Sequence, residues 1–423
     1  MRFLFYSHDG LGLGHTRRHL AVAAALAEQA PEAAILLATG AEEPGRFGLP
    51  RQVEILKLPG LRKDANEKYS ARRLKISVNE IRKLRSALLL SAIKAFQPGV
   101  VLVDKHPFGA SGEFKAGLTA LRKSGGRAVL GLRDILDAPE QVLQEWKQVR
   151  NLIADHYDQV LVYGNPGVFD PVTAYSFPEQ LAKRTTFAGY VVSRADARCL
   201  QNFEWPFLPR DKRSRPVVLA TCGGGEDGSR ILECFMRCSV GANWQAVAIG
   251  GPMTPDAELA RLEAVAAETG VAFRHFVPHL SALFSSVDAI VCMGGYNTLV
   301  EAADLGVPTV CVPRVNPRVE QLMRARAFER LGLLRLCQPE RLEQNLQPEI
   351  ETVLQISPGL LRERAHEVLD FDGAKRAAAS LLSLALSTVG LDRPISQRKR
   401  NGRDSIPEAT IQKCLDKSIN TDG

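Results

Sequence analysis

Short apolar runs alternate with amphipathic stretches along most of this 423-residue chain, and that alternation restricts the fold more than any other feature. It is typical of βαβ units, in which helices cover buried parallel strands. The sequence predicts strands in the first half at residues 2–7, 34–39, 53–58, 100–104, 128–132, 159–163 and 186–191. In the second half it predicts them at residues 216–221, 244–249, 272–277, 289–293, 308–312 and 333–336.

A polar, proline-containing segment at residues 193–215 separates the two sets of strands and is typical of a domain linker. We therefore expect an α/β protein with Rossmann-like domains at residues 1–192 and 216–388. The two domains would face each other across a cleft, since ligands bind at the carboxyl ends of parallel strands. Residues 389–423 have few large apolar side chains and include a basic cluster, which predicts a disordered tail.

Composition excludes several classes of protein. The amino terminus resembles no signal peptide and no apolar run reaches the length of a membrane span, so we expect a cytoplasmic protein, free or attached to a membrane surface. The eight cysteines form no CxxC pair, which argues against a disulfide framework or a zinc site. A net charge of +7 is compatible with nucleic acid, anionic lipid or a polyanionic substrate, and does not choose among them.

A glycine-rich loop follows the first predicted strand and leads into a helical pattern. It contains Gly12 and Gly14, then His15, with Arg18 one turn later. Glycines let a ligand approach the backbone, and a helix N-terminus offers free N–H groups to an anion. Near neutral pH the imidazole of His15 is a natural general base for a hydroxyl or a water. Alternatively, His15 caps the helix or binds phosphate, and Arg18 is a surface charge.

A second glycine loop, at Gly294 and Gly295, follows a buried strand in the second half. Asn297 is a good N-cap for the next helix, and Asn297, Thr298 and Glu301 would share one face of its first turns. An acid near a helix N-terminus suits the paired hydroxyls of a ribose, while the N–H groups beside it suit a diphosphate. The alternative is a capped structural helix with a solvated glutamate.

Two further segments of the second half are candidates for the same cleft. Adjacent Glu320 and Gln321 follow the strand that ends near Pro313, and their side chains are suited to reading sugar hydroxyls. The first strand of this half also ends in glycines, which predicts another phosphate-binding turn. These glycines are Gly223, Gly224 and Gly225.

Charged residues follow two strands of the first half. Asp104 ends the fourth predicted strand and His106 follows it; they either orient His15, bind an acceptor, or, for Asp104, cap a helix. Arg133 and Asp134 come after the fifth and predict an ion pair within the domain.

A basic stretch begins at Arg62 and ends at Lys94, with an apolar side at residues 87–93. A basic helix with an apolar face suits an anionic membrane surface or a phosphate-bearing acceptor, and a solvated helix flank is the alternative. Nucleic acid is less favoured, because no aromatic platform accompanies the charge. The basic residues are Arg62, Lys63, Lys68, Arg72, Arg73, Lys75, Arg82, Lys83, Arg85 and Lys94.

Residues 294–325 resemble the donor-binding region of GT-B glycosyltransferases. They most resemble the enzymes that add N-acetylglucosamine to the lipid-linked peptidoglycan precursor. The residues that match at that family's spacing are Gly295, Thr298, Glu301, Gly306, Pro308, Pro313 and Gln321.

This resemblance implies GT-B architecture and a nucleotide-diphosphate-sugar donor, with UDP-N-acetylglucosamine as the first candidate. It implies that Glu301 holds the ribose, that Gln321 with Glu320 contacts the donor sugar, and that residues 223–225 lie beside the diphosphate. Gly14 and His15 correspond to the acceptor-side loop and its proposed base. The Gly12 to Arg18 sequence departs from the family's double-glycine pattern, which leaves the acceptor open.

Three functions remain open at this stage. A transferase would use a hydroxyl acceptor, invert the anomeric configuration and need no metal, since no paired-carboxylate metal motif stands at an obvious place. The form of the Gly12 to Arg18 loop also looks like a nucleotide-sugar hydrolase of nonulosonic-acid synthesis, so a hydrolase or epimerase is the second reading. The third is a non-catalytic subunit that binds nucleotide sugars.

Overall fold

The computed structural model of the protein describes residues 1–8, 14–63, 69–193, 212–225 and 227–391. The first half contains strands β1 (Arg2–Ser7), β2 (Ala34–Thr39), β3 (Val53–Lys57), β4 (Leu61–Lys63), β5 (Tyr69–Ala71), β6 (Val100–Asp104), β7 (Arg127–Arg133), β8 (Gln159–Tyr163) and β9 (Thr185–Phe187). Seven of them form a parallel sheet in the order β3-β2-β1-β6-β7-β8-β9. Strands β4 and β5 pair as a separate antiparallel hairpin.

A second parallel sheet is built from the other half of the chain. Its strands are β10 (Val217–Thr221), β11 (Gln245–Ile249), β12 (Ala272–Arg274), β13 (Ala289–Cys292), β14 (Thr309–Cys311) and β15 (Arg335–Leu336). Their order is β12-β11-β10-β13-β14-β15. In both sheets the first strand along the chain is central, with a crossover on each side, as in doubly wound folds.

Helices cover both sheets. They are α1 (Gly14–Gln29), α2 (Val78–Phe96), α3 (Lys115–Lys123), α4 (Pro139–Trp146), α5 (Arg150–His156), α6 (Pro171–Ala174), α7 (Glu179–Ala182), α8 (Ser229–Cys238), α9 (Asp256–Thr269), α10 (Tyr296–Leu305), α11 (Glu320–Arg330), α12 (Leu342–Val353), α13 (Pro358–Val368) and α14 (Gly373–Leu391). Within the described residues, no helix is long and apolar enough to cross a bilayer.

The two halves share one hydrophobic core. A continuous cluster of buried side chains includes Phe5 and Leu102 of the first sheet and Leu219 and Ile290 of the second. Helix α14 returns from the second half and packs against α1 of the first. The edges of both sheets at which the strands end are therefore held close together.

All thirteen predicted strands are present, with ends that differ by a few residues. The segment predicted at 186–191 ends as a strand at Phe187, because Gly189 turns the chain with φ of 86° and Tyr190 bonds to Asp370 instead. The β4–β5 hairpin was not predicted. The domain boundaries stay a prediction, since residues 194–211 of the linker and 392–423 of the tail lie outside the described residues, and α14 continues to Leu391.

Candidate active site

His15 lies in the first turn of α1, directly above the carboxyl end of the central strand β1. Asp104 is the last residue of β6, which pairs with β1 in the same parallel sheet. Since parallel strands end at one edge, the fold brings these two side chains together from positions 89 residues apart. His15 Nδ1 lies 3.1 Å from Asp104 Oδ2.

Arg18 completes this cluster. Its Nη2 donates to Asp104 Oδ2 at 2.7 Å and lies 2.9 Å from His15 Nδ1. Arg18 and Asp104 are both buried, whereas His15 is half-buried and reaches the cleft. Arg18 is therefore not a surface charge, and Asp104 contacts the imidazole, as one of the sequence interpretations predicted.

The ionic state of this cluster follows from its contacts. Burial alone would raise the pKa of Asp104, but Arg18 and His15 outweigh it and hold that pKa well below its usual range. Burial lowers the pKa of Arg18, yet Asp104 restores and raises it. Asp104 therefore stays a carboxylate at neutral pH. His15 Nδ1 lies between a donor and an acceptor: unprotonated, it accepts from Arg18, and protonated, it donates to Asp104, which leaves Nε2 as the basic nitrogen.

His106 lies further from the cluster than Asp104. Its ring packs edge-on against His8, with centroids 4.2 Å apart, and His8 in turn lies 4.9 Å from His15. His106 thus reaches His15 through His8, a residue that the sequence did not single out. Gly14 opens α1, and Gly12 lies outside the described residues.

Helix α10 carries the second group of predicted residues. The prediction that Asn297 caps it is wrong, because Gly295 takes the N-cap position and the helix begins at Tyr296. Asn297 lies inside the first turn, and its Nδ2 donates to the Gly14 carbonyl at 3.4 Å, across the cleft. Thr298 is half-buried beside it, and Gly306 ends the helix with φ of 68°.

Glu301 faces the first half of the chain. Its Oε1 accepts from Arg17 Nη2 at 2.5 Å, so a residue of α1 contacts the carboxylate predicted to bind ribose. Glu301 is only 3% exposed, which contradicts the alternative of a solvated glutamate. Burial raises its pKa, and the Arg17 charge opposes that rise.

The predicted phosphate-binding turn of the second half lies at the end of β10. Gly223 and Gly225 have φ of 64° and 88°, a region that favours glycine. A Cβ on Gly225 would lie 2.7 Å from the Cα of Gly251, and one on Gly224 would lie 2.8 Å from Met253. Gly294, with φ of 83°, makes a comparable turn at the end of β13. Gly223 is exposed and Gly224 and Gly295 are half-buried, so each turn keeps part of its backbone accessible.

Glu320 and Gln321 begin α11. Glu320 Oε1 accepts from Arg314 at 2.8 Å and lies 3.7 Å from Arg133 of the first half. Burial would raise the pKa of Glu320, but Arg133 and Arg314 lower it below its usual range. Gln321 Oε1 accepts from the backbone N–H of Arg314 at 3.0 Å, and this bond holds its side chain beside the loop.

The predicted pairing of Arg133 with Asp134 is wrong. Asp134 accepts from Nη2 of Arg324, in the second half, at 2.8 Å and from its Nε at 3.0 Å and 3.2 Å, and both side chains are fully buried. Arg324 also donates to the Gly294 carbonyl at 3.1 Å, while Arg133 points to Glu320. Adjacent side chains at a strand end point to different sides, so Asp134 and Arg133 meet different partners.

The ring of Tyr296 contacts one arginine from each half of the chain. It lies 5.2 Å from the guanidinium carbon of Arg18 and 5.7 Å from that of Arg324, measured to the ring centroid. Its hydroxyl accepts from the backbone N–H of Val191. The buried Asp104–Arg18 pair and the interdomain Arg324–Asp134 pair thus contact the same aromatic ring.

Sequence reasoning missed the arginines that link the halves, namely Arg17, Arg318 and Arg324. One signal was available for Arg324: it lies four residues after Glu320, on the side of α11 that carries buried residues. Arg17 gave no such signal, because its partner stands 284 residues away.

The basic stretch from Arg62 to Lys94 is only partly a charged surface. Arg85 is buried and donates to Glu113 and to the Pro59 carbonyl, so it belongs to the core. Residues 64–68 lie outside the described residues. A surface formed by residues 73–84, here called the Leu74 patch, combines exposed apolar and basic side chains. They are Arg73, Leu74, Lys75, Ile76, Val78, Arg82, Lys83 and Leu84.

Metal-ligating residues do not cluster here: across the ranges that the structure describes, no group of three or more His, Cys, Asp or Glu side chains is arranged to hold an ion. The prediction that the reaction needs no metal stays a prediction.

Comparison with known proteins identifies related sequences. Residues 243–380 match the model of the glycosyltransferase family 28 C-terminal domain. The chain is 28% identical over 176 residues to the NDP-glycosyltransferase YjiC of Bacillus subtilis, covering 40% of this chain and 42% of that protein. A relative from Klebsiella pneumoniae is 24% identical over 63% of this chain and 83% of its own length. It is a UDP-N-acetylglucosamine–N-acetylmuramyl-(pentapeptide) pyrophosphoryl-undecaprenol N-acetylglucosamine transferase.

Solved structures show the same architecture over nearly the whole chain. The crystal structure of Acinetobacter baumannii MurG superimposes with a TM-score of 0.53 and 16% identity, covering 90% of this chain and 99% of that one. At this identity the likeness defines the fold, which is the two-domain GT-B arrangement.

Proposed function

Because the chain is a glycosyltransferase with GT-B architecture, we propose that it moves a sugar from a UDP-linked donor to an acceptor hydroxyl, with inversion and without a metal ion. The observation that carries this proposal is the contact between His15 and the buried Asp104 at the cleft, opposite the first turns of α10. UDP-N-acetylglucosamine is our first candidate donor, since the Klebsiella relative is named for it.

The second half would bind the donor. Glu301 would accept hydrogen bonds from the ribose hydroxyls, and Glu320 and Gln321 would contact the sugar. The glycine turns at residues 223–225 and 294–295, with Asn297, Thr298 and the free N–H groups of α10, would lie beside the diphosphate. A helix N-terminus and exposed backbone N–H groups stabilise such an anion without a metal.

In the reaction, Nε2 of His15 takes the proton of the acceptor hydroxyl. The resulting oxygen forms a bond to the anomeric carbon as the bond from that carbon to the diphosphate oxygen breaks, and UDP leaves. Attack from the side opposite the leaving group inverts the anomeric configuration. Asp104 fixes the tautomer of His15 and stabilises the imidazolium that forms, a task for which its low pKa suits it.

Replacing His15 tests this assignment. A positioned general base contributes about 10²–10⁴-fold, so His15→Ala should lower kcat by at least about 100-fold while UDP affinity stays near that of wild type. Asp104→Asn should lower kcat by a smaller factor and shift the pH profile of the rate. An unchanged kcat in His15→Ala, with the fold intact, contradicts the base assignment.

The hydrolase alternative rests on the form of the loop from Gly12 to Arg18 and needs a direct comparison. Purified protein is incubated with the donor alone and with donor plus lipid-linked acceptors. Release of free sugar at the full rate without acceptor favours the hydrolase, and acceptor-dependent UDP release favours the transferase. Donor binding without turnover under either condition favours the non-catalytic reading.

The acceptor side of the proposal includes an anionic membrane surface, to which the Leu74 patch would bind. Exposed leucine and isoleucine side chains beside lysines and arginines suit the boundary between headgroups and acyl chains. We expect the protein to sediment with phosphatidylglycerol vesicles and Lys75→Glu/Lys83→Glu to lose this binding. The control Lys115→Glu/Lys147→Glu, with the same charge change elsewhere on the first half, should keep it. Equal loss in both variants would argue against the patch.

A further inference from the structure

Arg17 and Glu301 face each other from opposite halves of the molecule. Arg17 lies in the first turn of α1, two residues after His15, and Glu301 lies in the second turn of α10. Their atoms Nη2 and Oε1 are 2.5 Å apart. The Arg17 side chain is 18% exposed and that of Glu301 only 4%, so a guanidinium that still reaches solvent contacts a carboxylate that is almost fully buried.

The same carboxylate is the one that our proposed function assigns to the ribose. A ribose hydroxyl must donate to an oxygen of Glu301, and in this structure one of those oxygens accepts from Arg17. With the arginine in place Glu301 is only 3% exposed, which leaves its carboxylate almost no surface for a sugar to contact. Donor binding and the Arg17–Glu301 pair therefore compete.

We propose that Arg17 is a gate residue for the donor, which must displace it from Glu301 before the ribose can bind. This inference rests on the proposed function and adds a residue that controls donor affinity. When only a fraction of the molecules is competent to bind, the apparent dissociation constant of the ligand equals the intrinsic constant divided by that fraction. If the Arg17–Glu301 pair is open in about one molecule in ten, its presence in the others weakens donor binding about tenfold.

The sign of this effect distinguishes the gate from a simple phosphate contact. An arginine that binds the diphosphate strengthens nucleotide affinity, so its removal weakens binding. An arginine that covers the ribose carboxylate weakens affinity, so its removal strengthens binding. The two roles predict opposite results for one substitution.

Loss of Arg17 should leave the two halves together. Arg324 and Asp134 form a fully buried pair across the same boundary, and Arg318 contacts Asp137 at 3.3 Å and Glu145 at 3.1 Å. Arg318 offers a matched control, because Arg318→Gln also removes an arginine from an interdomain ion pair but does not touch Glu301.

The test is titration calorimetry with UDP, which carries the ribose and the diphosphate without the sugar. It is run at about pH 8, so that Glu301 stays ionised once its cation is removed. We expect Arg17→Gln to bind UDP about tenfold more tightly than wild type, and Arg318→Gln to bind it as wild type does. With 2′,3′-dideoxyuridine diphosphate, which lacks the hydroxyls, Arg17→Gln should show no gain.

Three results overturn the inference: Arg17→Gln binds UDP no more tightly than wild type, Arg318→Gln shows the same gain, or the gain persists with the dideoxy nucleotide. Failure of the proposed function gives a different result. In that case neither wild type nor Arg17→Gln binds UDP, or Arg17→Gln/Glu301→Gln binds it as well as Arg17→Gln does. Thermal unfolding of each variant establishes that it is folded.

Discussion

His19 shows how strongly the buried corner near the candidate base depends on charge. It lies one turn after His15 in α1, is fully buried and packs against Phe5 with ring centroids 5.3 Å apart. Burial lowers its pKa from 6.5 to about 4; the charge of Asp104 opposes this shift, and the charges of Arg18 and His15 add to it. His19 is therefore neutral in the folded protein at neutral pH.

This depressed pKa predicts how stability depends on pH. Between pH 6.5 and pH 4 the unfolded chain binds a proton at His19 that the native state does not, so the free energy of unfolding falls as the pH falls. The loss from His19 between pH 7 and pH 5 is about 2 kcal/mol. Between pH 7 and pH 5, we expect the free energy of unfolding of His19→Leu to fall by about 2 kcal/mol less than that of the wild type, measured by urea unfolding. The same decline in both proteins would contradict the assignment.

The sequence predicted which residues belong to the candidate site better than it predicted the side chains that they contact. His15 and Asp104 stood out because each follows a strand, and parallel strands end at one edge. The partner of Glu301 was out of reach, since Arg17 stands in a different half and nothing local distinguishes it from Arg18. The side on which a side chain projects at a strand end decides which partner it meets: Arg133 faces Glu320 and Asp134 faces Arg324, both in the second half.

The elements that would cradle the donor are turns packed directly on one another. The Gly223–Gly225 turn after β10 lies against the loop after β11, where a Cβ on Gly251 would be 2.3 Å from the carbonyl carbon of Gly224. Only a residue without a side chain fits this backbone-to-backbone approach. The shape of the proposed diphosphate site thus depends on a glycine in the neighbouring loop.

Gly251→Ala should therefore displace the Gly223–Gly225 turn. We expect UDP affinity to fall more than about tenfold, because a hydrogen-bond donor misplaced by an ångström no longer serves the phosphate. Titration calorimetry measures this effect. Gly359→Ala is the control, since a Cβ there would lie no closer than 3.9 Å to its nearest neighbour, Ser357. An affinity unchanged by Gly251→Ala would show that this turn does not contact the nucleotide.

Strands were predictable from the sequence where their apolar run extended over four or more residues. Buried strands such as β1 and β6 carry uninterrupted apolar runs and were found with their correct ends, whereas β4 and β5 have three residues each and no clear alternation. The cap of α10 was misassigned because Gly295 and Asn297 are both acceptable N-cap residues, and the local sequence does not rank them.

On the scale of the whole molecule, buried ion pairs and a shared core join the two halves. Arg324 bridges Asp134 and the Gly294 turn, and α14 packs on α1. A buried pair is costly to break because the remaining charge loses both water and partner. The Gly294 turn, the Arg324–Asp134 pair and the helix that carries His15 are thus parts of one connected structure.

Arg324→Met should destabilise the protein by about 3–5 kcal/mol, since it leaves Asp134 buried without its cation. Scanning calorimetry would record a lower midpoint, and UDP affinity should fall as the Gly294 turn loses its donor. The double variant Arg324→Met/Asp134→Asn should recover part of the stability, because the uncompensated charge is gone. Strictly additive losses in the double variant would contradict direct coupling of the pair.

Titration calorimetry with UDP-N-acetylglucosamine decides whether the second half holds a sugar nucleotide by its ribose at α10. It compares Arg17→Gln with Arg17→Gln/Glu301→Gln, because neither variant has the Arg17–Glu301 pair, whose loss would offset the loss of the carboxylate. We expect one site per chain in the wild type and in Arg17→Gln, and an affinity at least about tenfold weaker in the double variant, from loss of a charge-assisted hydrogen bond. No heat of binding with any common nucleotide sugar, or equal affinity in the two variants, rules out this donor site.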